Sequence, residues 1–173
     1  LDRGLALEVQ GRREAALVAY RTVLMATPGV RDPESGVLLA DSSIERPADV
    51  RRFQEAAAVA CMKLGFAAVQ QREAGLALRY FEQAARLEPE RSEALINAGR
   101  VLLESGRAER AVAALTEAVR RDGRALPAYY TLAQALYRLG RYEESSLWLT
   151  RLLDRQPDHP QALRLQALLP AAP

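Results

Sequence analysis

The stretch AVACMKLGFAAVQQREAGLALRYFEQAARLEPER, residues 58–91, decides the fold, because the sequence repeats its pattern twice more at a spacing of 34 residues. The repeats are SEALINAGRVLLESGRAERAVAALTEAVRRDGRA, residues 92–125, and LPAYYTLAQALYRLGRYEESSLWLTRLLDRQPDH, residues 126–159. Laid over one another without a gap, the three windows put small residues in shared columns. Gly65 falls with Gly99 and Ala133, Ala77 with Ala111 and Ser145, and Ala84 with Ala118, where the last window carries Leu152. Large residues share columns too: Cys61, Leu95 and Tyr129; Ala68, Leu102 and Leu136; Phe81, Leu115 and Leu149. Turn residues Pro89, Gly123 and Pro157 close the windows, and Gly106 and Gly140 mark a turn inside them where the first window has Arg72.

Each window reads as a hairpin of two amphipathic helices of about three to four turns, ended by Pro or Gly. Small side chains at Gly65 and Ala77, and at Gly99 and Ala111, let paired helices approach closely, with Phe81, Leu115 and Leu149 filling the space beside them. Such a helix cannot bury its face alone, so stacked neighbours supply the core. Composition agrees. The 173 residues include 32 Ala and 27 Leu against 11 Val and 2 Ile, a balance that favours helix over strand.

These columns resemble those of the tetratricopeptide repeat (TPR) family, carried most plainly by Leu64-Gly65, by Ala77, Phe81, Ala84 and Pro89, and by Leu139-Gly140-Arg141-Tyr142. An earlier, diverged unit fits through Gly4, Leu7, Gly11, Ala16, Tyr20, Val23 and Pro28, one period plus an insertion of about 27 residues ahead of the next. The resemblance implies an all-α, right-handed TPR superhelix of about four helical hairpins plus a C-terminal capping helix. The expected divisions are a first repeat at 1–28, an insertion loop at 29–50, and a second repeat with an extended first helix at 51–91. A third repeat at 92–125, a fourth at 126–159 and the cap at 160–170 complete the array. Pro170-Ala171-Ala172-Pro173 stops the cap. Pro47 suits the first position of a helix, with Asp49 in its first turn, so the extended helix is expected to start near Pro47 and reach about Gln71. Pro, Gly and Ser at turn density surround one apolar run in the insertion, Val37 to Ala40, which reads either as a surface loop or as a segment that covers the groove or meets a partner.

Catalytic chemistry has no local signature. The phosphate-loop, dinucleotide, metalloprotease and nucleophile-elbow motifs are all missing. Cys61 is the one cysteine, in a column held by Leu95 and Tyr129, and reads as a packed hydrophobe. His159, the one histidine, reads as a solvated turn residue between Asp158 and Pro160, and Glu143 and Glu144 read as solvated charge. Neither catalytic residues, a metal site nor a cofactor are expected. Trp148 stands beside the core column of Leu149 and is either a contact for the cap or part of a protein interface. With 24 basic residues against 22 acidic ones and no basic run, nucleic acid is a poor partner, and no apolar stretch reaches the ~18 residues of a membrane span.

The family resemblance implies that the first helix of each pair lines a concave face that holds a partner peptide or helix. Helical spacing puts Met62, Lys63, Phe66 and Gln70 on that stripe, followed by Ile96, Asn97, Arg100 and Glu104, and then by Tyr130, Thr131, Gln134, Tyr137 and Arg138. Aromatic and apolar side chains among amides and cations suit recognition of a protein segment, and Lys63, Arg100 and Arg138 favour an acidic one. Some members clamp the terminal carboxylate of heat-shock chaperones with Lys and Asn. Asn97 matches one such place, but Met62, Phe66, Pro127 and Thr131 occupy the others, which excludes that ligand class. The expected function is therefore a non-enzymatic scaffold or adaptor for a protein or peptide partner. The alternatives are an assembly chaperone for a secreted or cell-envelope complex and a structural module that self-associates into a homo-oligomer. Arginine-rich usage, with Lys63 the one lysine, points to a GC-rich, bacterial gene. A cytoplasmic location is favoured, and a start at Leu1 rather than Met leaves a periplasmic one open through a segment cut away upstream.

Overall fold

The computed structural model describes residues 1–27, 30, 31, 33 and 47–170, with the side chains of 47–50 left aside. Among the described residues there are nine helices and no β-strand. They are α1 (Asp2–Val9), α2 (Arg13–Met25), α3 (Pro47–Gln70), α4 (Ala74–Leu87), α5 (Glu93–Glu104), α6 (Ala108–Arg121), α7 (Leu126–Arg138), α8 (Tyr142–Leu153) and α9 (Pro160–Ala167). The chain divides into two compact units, Leu1–Pro89 and Glu90–Pro173. In the first, α1 packs on α2, α2 on α3 and α3 on α4; in the second, α5 packs on α6 and α7, α7 on α8, and α8 on α9.

Helix pairing follows from where the small residues sit. A Cβ added to Gly65 of α3 would stand 2.6 Å from Cε1 of Phe81 in α4, and one added to Gly99 of α5 would stand 2.5 Å from Cγ of Leu115 in α6. One added to Gly4 of α1 would collide with the ring of Tyr20 in α2. All three large side chains are fully buried. Each glycine is thus a notch that receives one large side chain from the helix sixteen residues further on, a spacing shared by all three pairs. In the fourth pair the notch holds Ala133, and the Ser145 hydroxyl donates to the Ala133 carbonyl at 2.8 Å, beside the buried Leu149. This bond satisfies the one polar atom that the serine brings into an alanine column.

The turn inside each hairpin is built the same way four times. The amide of Arg12 donates to Leu7, that of Glu73 to Ala68, that of Arg107 to Leu102 and that of Arg141 to Leu136, at 2.9, 2.9, 2.9 and 3.0 Å. The residue before each donor is left-handed: Gly11 at φ 71°, Arg72 at 62°, Gly106 at 74° and Gly140 at 73°. This is the Schellman ending, in which a left-handed residue turns the chain so that the last carbonyls keep donors. Arg72 does it against the repulsion between its Cβ and the following carbonyl, a cost of about 1–2 kcal/mol that glycine escapes. Allowing for the extra chain entropy glycine loses on folding, Arg72→Gly should stabilise the protein by about 0.5–1 kcal/mol, or about 1–4 °C in Tm. Arg72→Ala, which keeps the Cβ, should give no such gain in the same calorimetric scan.

Residues 47–50, placed in the 29–50 insertion by the repeat count, are the first turn of α3. That helix runs for 24 residues, against 12 for α5 and 13 for α7, the other first helices downstream. Thr27, just ahead of the insertion, and Val30, at its start, are fully buried. The apolar run Val37 to Ala40 and the final residues 171–173 lie outside the described residues.

Candidate functional site

In the second unit a cleft of about 570 Å³ opens between α5 and α7 and is closed by the turn that leads into α9. Arg100, Leu103 and Glu104 line it from α5, and Leu126, Pro127, Tyr130, Thr131, Gln134 and Arg138 from α7. Gln156, His159 and Gln161 come from the start of α9 and the turn before it. The stripe expected from helical spacing therefore meets the cleft at Arg100, Glu104, Tyr130, Thr131, Gln134 and Arg138. Ile96 and Asn97 stand outside its lining, as does Tyr137, whose ring packs on that of Tyr142 at the α7–α8 turn, 5.5 Å between centroids.

Polar contacts within the protein hold several of these groups in place. Asn97 donates through Nδ2 to the Glu93 carbonyl at 2.9 Å and accepts from Nη2 of Arg100 at 3.2 Å, so it steadies the arginine and contributes through it. Arg138 donates through Nη1 to the Leu103 carbonyl at 2.7 Å. Leu103 is in the last turn of α5, where the negative end of the helix dipole attracts a cation, and its carbonyl also accepts the Gly106 amide at 3.1 Å. One guanidinium thus ties the end of α7 to the end of α5 and still offers its other N–H groups to the cleft. Thr131 is buried, and its hydroxyl donates to the Pro127 carbonyl at 3.0 Å. The ring of Tyr130 stacks on His159 at 5.5 Å, with 29° between the planes. Two arginines, one carboxylate at Glu104, three amides and a tyrosine–histidine stack therefore surround one opening.

The first unit treats its share of the stripe differently. Met62 is half-buried, Gln70 is exposed, and Phe66 packs edge-on against Phe81 at 5.4 Å while remaining 37% exposed. Lys63, expected as a cation for the partner, holds Glu8 of α1 at 2.7 Å. The hydrogen bond from Lys63 keeps the Glu8 carboxyl below its ordinary range, and burial, followed by the adjoining Glu8 carboxylate, pushes the Tyr20 hydroxyl up to about 12. The Lys63 charge is thus neutralised within the protein.

Several residues outside the cleft are held by packing and ion pairs. Burial pushes the Cys61 thiol up to about 12, so it stays protonated and unreactive near neutral pH. Trp148 meets Tyr129 edge-on at 5.2 Å, with the Arg151 guanidinium 4.6 Å from its ring, and packs against the buried cluster of Tyr129, Leu149, Leu152, Ala162 and Leu165 that joins α7, α8 and α9. On α6, Arg120 and Arg121 both hold Glu117, whose carboxyl falls to about 2, Arg120 contributing first. Among the described residues no helix is long and apolar enough to cross a membrane.

The tetratricopeptide repeat family matches residues 68–122 and 102–169. No curated protein matches the sequence. Among solved structures the chain is similar to the TPR domain of Arabidopsis OM64, with 21% identity and a TM-score of 0.63 over 66% of this chain and 94% of that one. It is similar also to the second TPR domain of human RPAP3 in complex with the HSP70 peptide SGPTIEEVD, at 18% identity and a TM-score of 0.63, covering 68% of this chain and 95% of that one. The first TPR of Spaghetti (RPAP3), bound to the HSP90 peptide SRMEEVD, is 17% identical, with a TM-score of 0.62 over 64% of this chain and 87% of that one. At these identities the structures share the fold. The family match spans residues 68 to 169, more than half of the 173, and takes in the hairpins built around Gly99 and Ala133: the chain belongs to the tetratricopeptide repeat family.

Proposed function

We propose that this chain is a non-enzymatic adaptor that holds an acidic segment of a partner protein in the α5–α7 cleft. The observation that carries the reading is the convergence of Arg100 and Arg138 with the Tyr130 ring and the amides of Gln134, Gln156 and Gln161 around one opening. Guanidinium groups attract and orient carboxylates, a ring face anchors an apolar side chain, and amides donate to and accept from a peptide backbone. These groups suit binding better than bond making. The cleft's aliphatic hydroxyl, Thr131, is buried and gives its proton to a helix carbonyl. Membership of a repeat family whose solved relatives include peptide complexes supports the same reading. The chaperone peptides of those relatives are not proposed as ligands here. Asn97, the residue that matches the clamp, is already engaged by Glu93 and Arg100, and Met62, Phe66, Pro127 and Thr131 take the other places.

Charge reversal on two surfaces tests the proposal. A partner captured by pull-down and measured by calorimetry should bind roughly tenfold more weakly to Arg100→Glu, because its acidic group then meets a like charge. Arg120→Glu on α6 should change affinity less than about twofold, since exposed ion pairs are screened and contribute little. A partner released by Arg120→Glu and indifferent to Arg100→Glu would move recognition to α6 and refute the cleft.

A further inference from the structure

His159 ends the turn between α8 and α9, and two contacts fix its ring. Nδ1 accepts the backbone N–H of Ala162 at 3.1 Å, which makes His159 the N-cap of α9. Among the helices whose N-cap is described, α9 is the one capped by a side chain. The ring also lies over Tyr130 of α7. A neutral imidazole that accepts at Nδ1 carries its proton on Nε2. The same side chain is half-buried in the lining of the cleft, between Gln156 and Gln161.

We propose that His159 is a specificity-determining residue of the cleft, with the α9 cap fixing its tautomer, the Tyr130 stack fixing its plane, and Nε2–H offered as one oriented donor to an acceptor oxygen of the bound segment. This inference rests on the cleft being the binding site. It goes further in joining recognition to the docking of α9: the bond that starts the last helix also aims the donor. Arg100 and Arg138 supply charge that reaches any acidic segment, whereas a single donor in a fixed plane donates to an oxygen at only one place along it.

The probe is an array of immobilised ten-residue peptides graded from acidic to neutral composition, with the tightest binder then measured in solution. Asparagine is a good N-cap, so His159→Asn keeps the start of α9 while removing the ring. Its Tm should stay within about 2 °C of the parent and its affinity for the selected peptide should fall about fivefold or more. His159→Ala, which loses cap and ring together, should lower both. In the parent protein, nitrogen NMR of the neutral imidazole should show a bare Nδ1 and a protonated Nε2, and the Nε2–H signal should move when the peptide is added. His159→Asn binding within twofold of the parent, or a proton found on Nδ1, would overturn the inference and leave the cleft standing. If the parent bound no peptide of the array, the cleft reading would fall and the role of His159 with it.

Discussion

Replacing Phe81 by alanine should cost about 3–5 kcal/mol of stability, the combined loss of buried ring surface and of packing around the void. At about 2–4 °C per kcal/mol for a chain of this length, Tm should fall by about 6–20 °C. The side chain is fully buried, fills the notch at Gly65 and meets Phe66 edge-on, so little around it can close in. The same geometry makes a less intuitive prediction for the other side of the contact. Gly65→Ala puts the better helix former into the middle of α3, a gain of about 1 kcal/mol in an open helix. Here the new Cβ would stand 2.6 Å from a ring with nowhere to go, and overpacking of this kind costs about 1–3 kcal/mol. The net should be a loss. A shorter neighbour should reverse the sign: in a Phe81→Leu background, Gly65→Ala should become neutral or stabilising, a coupling that a double-mutant cycle in urea isolates. If Gly65→Ala raised the stability of the parent protein, α3 and α4 could not be in this contact, and the 34-residue register that pairs them would be wrong.

That register was legible because it depends on size alone. A glycine and a large residue sixteen positions later recur as Gly4 with Tyr20, Gly65 with Phe81 and Gly99 with Leu115, and a column of such pairs can be read without coordinates. Arg72 was legible as the exception in a column of turn glycines, and its left-handed backbone is what the structure adds. The surroundings of the stripe proposed for binding were less so. Helical spacing tells which side chains share a face, but the reach of a long side chain depends on what stands within several ångströms of it. Lys63 meets Glu8, 55 residues away, and Arg138 meets the Leu103 carbonyl, 35 residues away, and both lose part of their freedom to a contact that no spacing rule anticipates. Tyr137 has the right residue type on the right helix, yet the ring of Tyr142 draws it to the turn. His159 reads as a solvated turn histidine because nothing near it in sequence is a ligand type, and its neighbour Tyr130 comes from the preceding first helix. The available signal was its place immediately before Pro160, where a side-chain acceptor caps a helix that starts with proline.

The contrast between Tyr130 and Tyr137 of α7 sets the largest expected effect on binding. Tyr130→Ala should weaken a cleft-bound partner by about 2 kcal/mol or more, roughly thirtyfold, because a ring that walls a cleft anchors the bound chain and excludes water around it. It also removes the face on which His159 rests, so the anchor and an oriented donor go together. Tyr130 is half-buried, so folding stability should fall by less than binding does, and Tyr130→Phe, which keeps the ring, should retain affinity within about threefold. Tyr137→Ala should change affinity by less than about twofold, since that ring packs on Tyr142 outside the cleft lining. Spacing along the helix treats the two residues alike, whereas the packed structure separates them, so isothermal titration of both variants with one partner decides which description governs binding. Equal losses at Tyr130 and Tyr137 would show that the bound segment runs along the whole face of α7, past the cleft, and would return the site to the broader stripe.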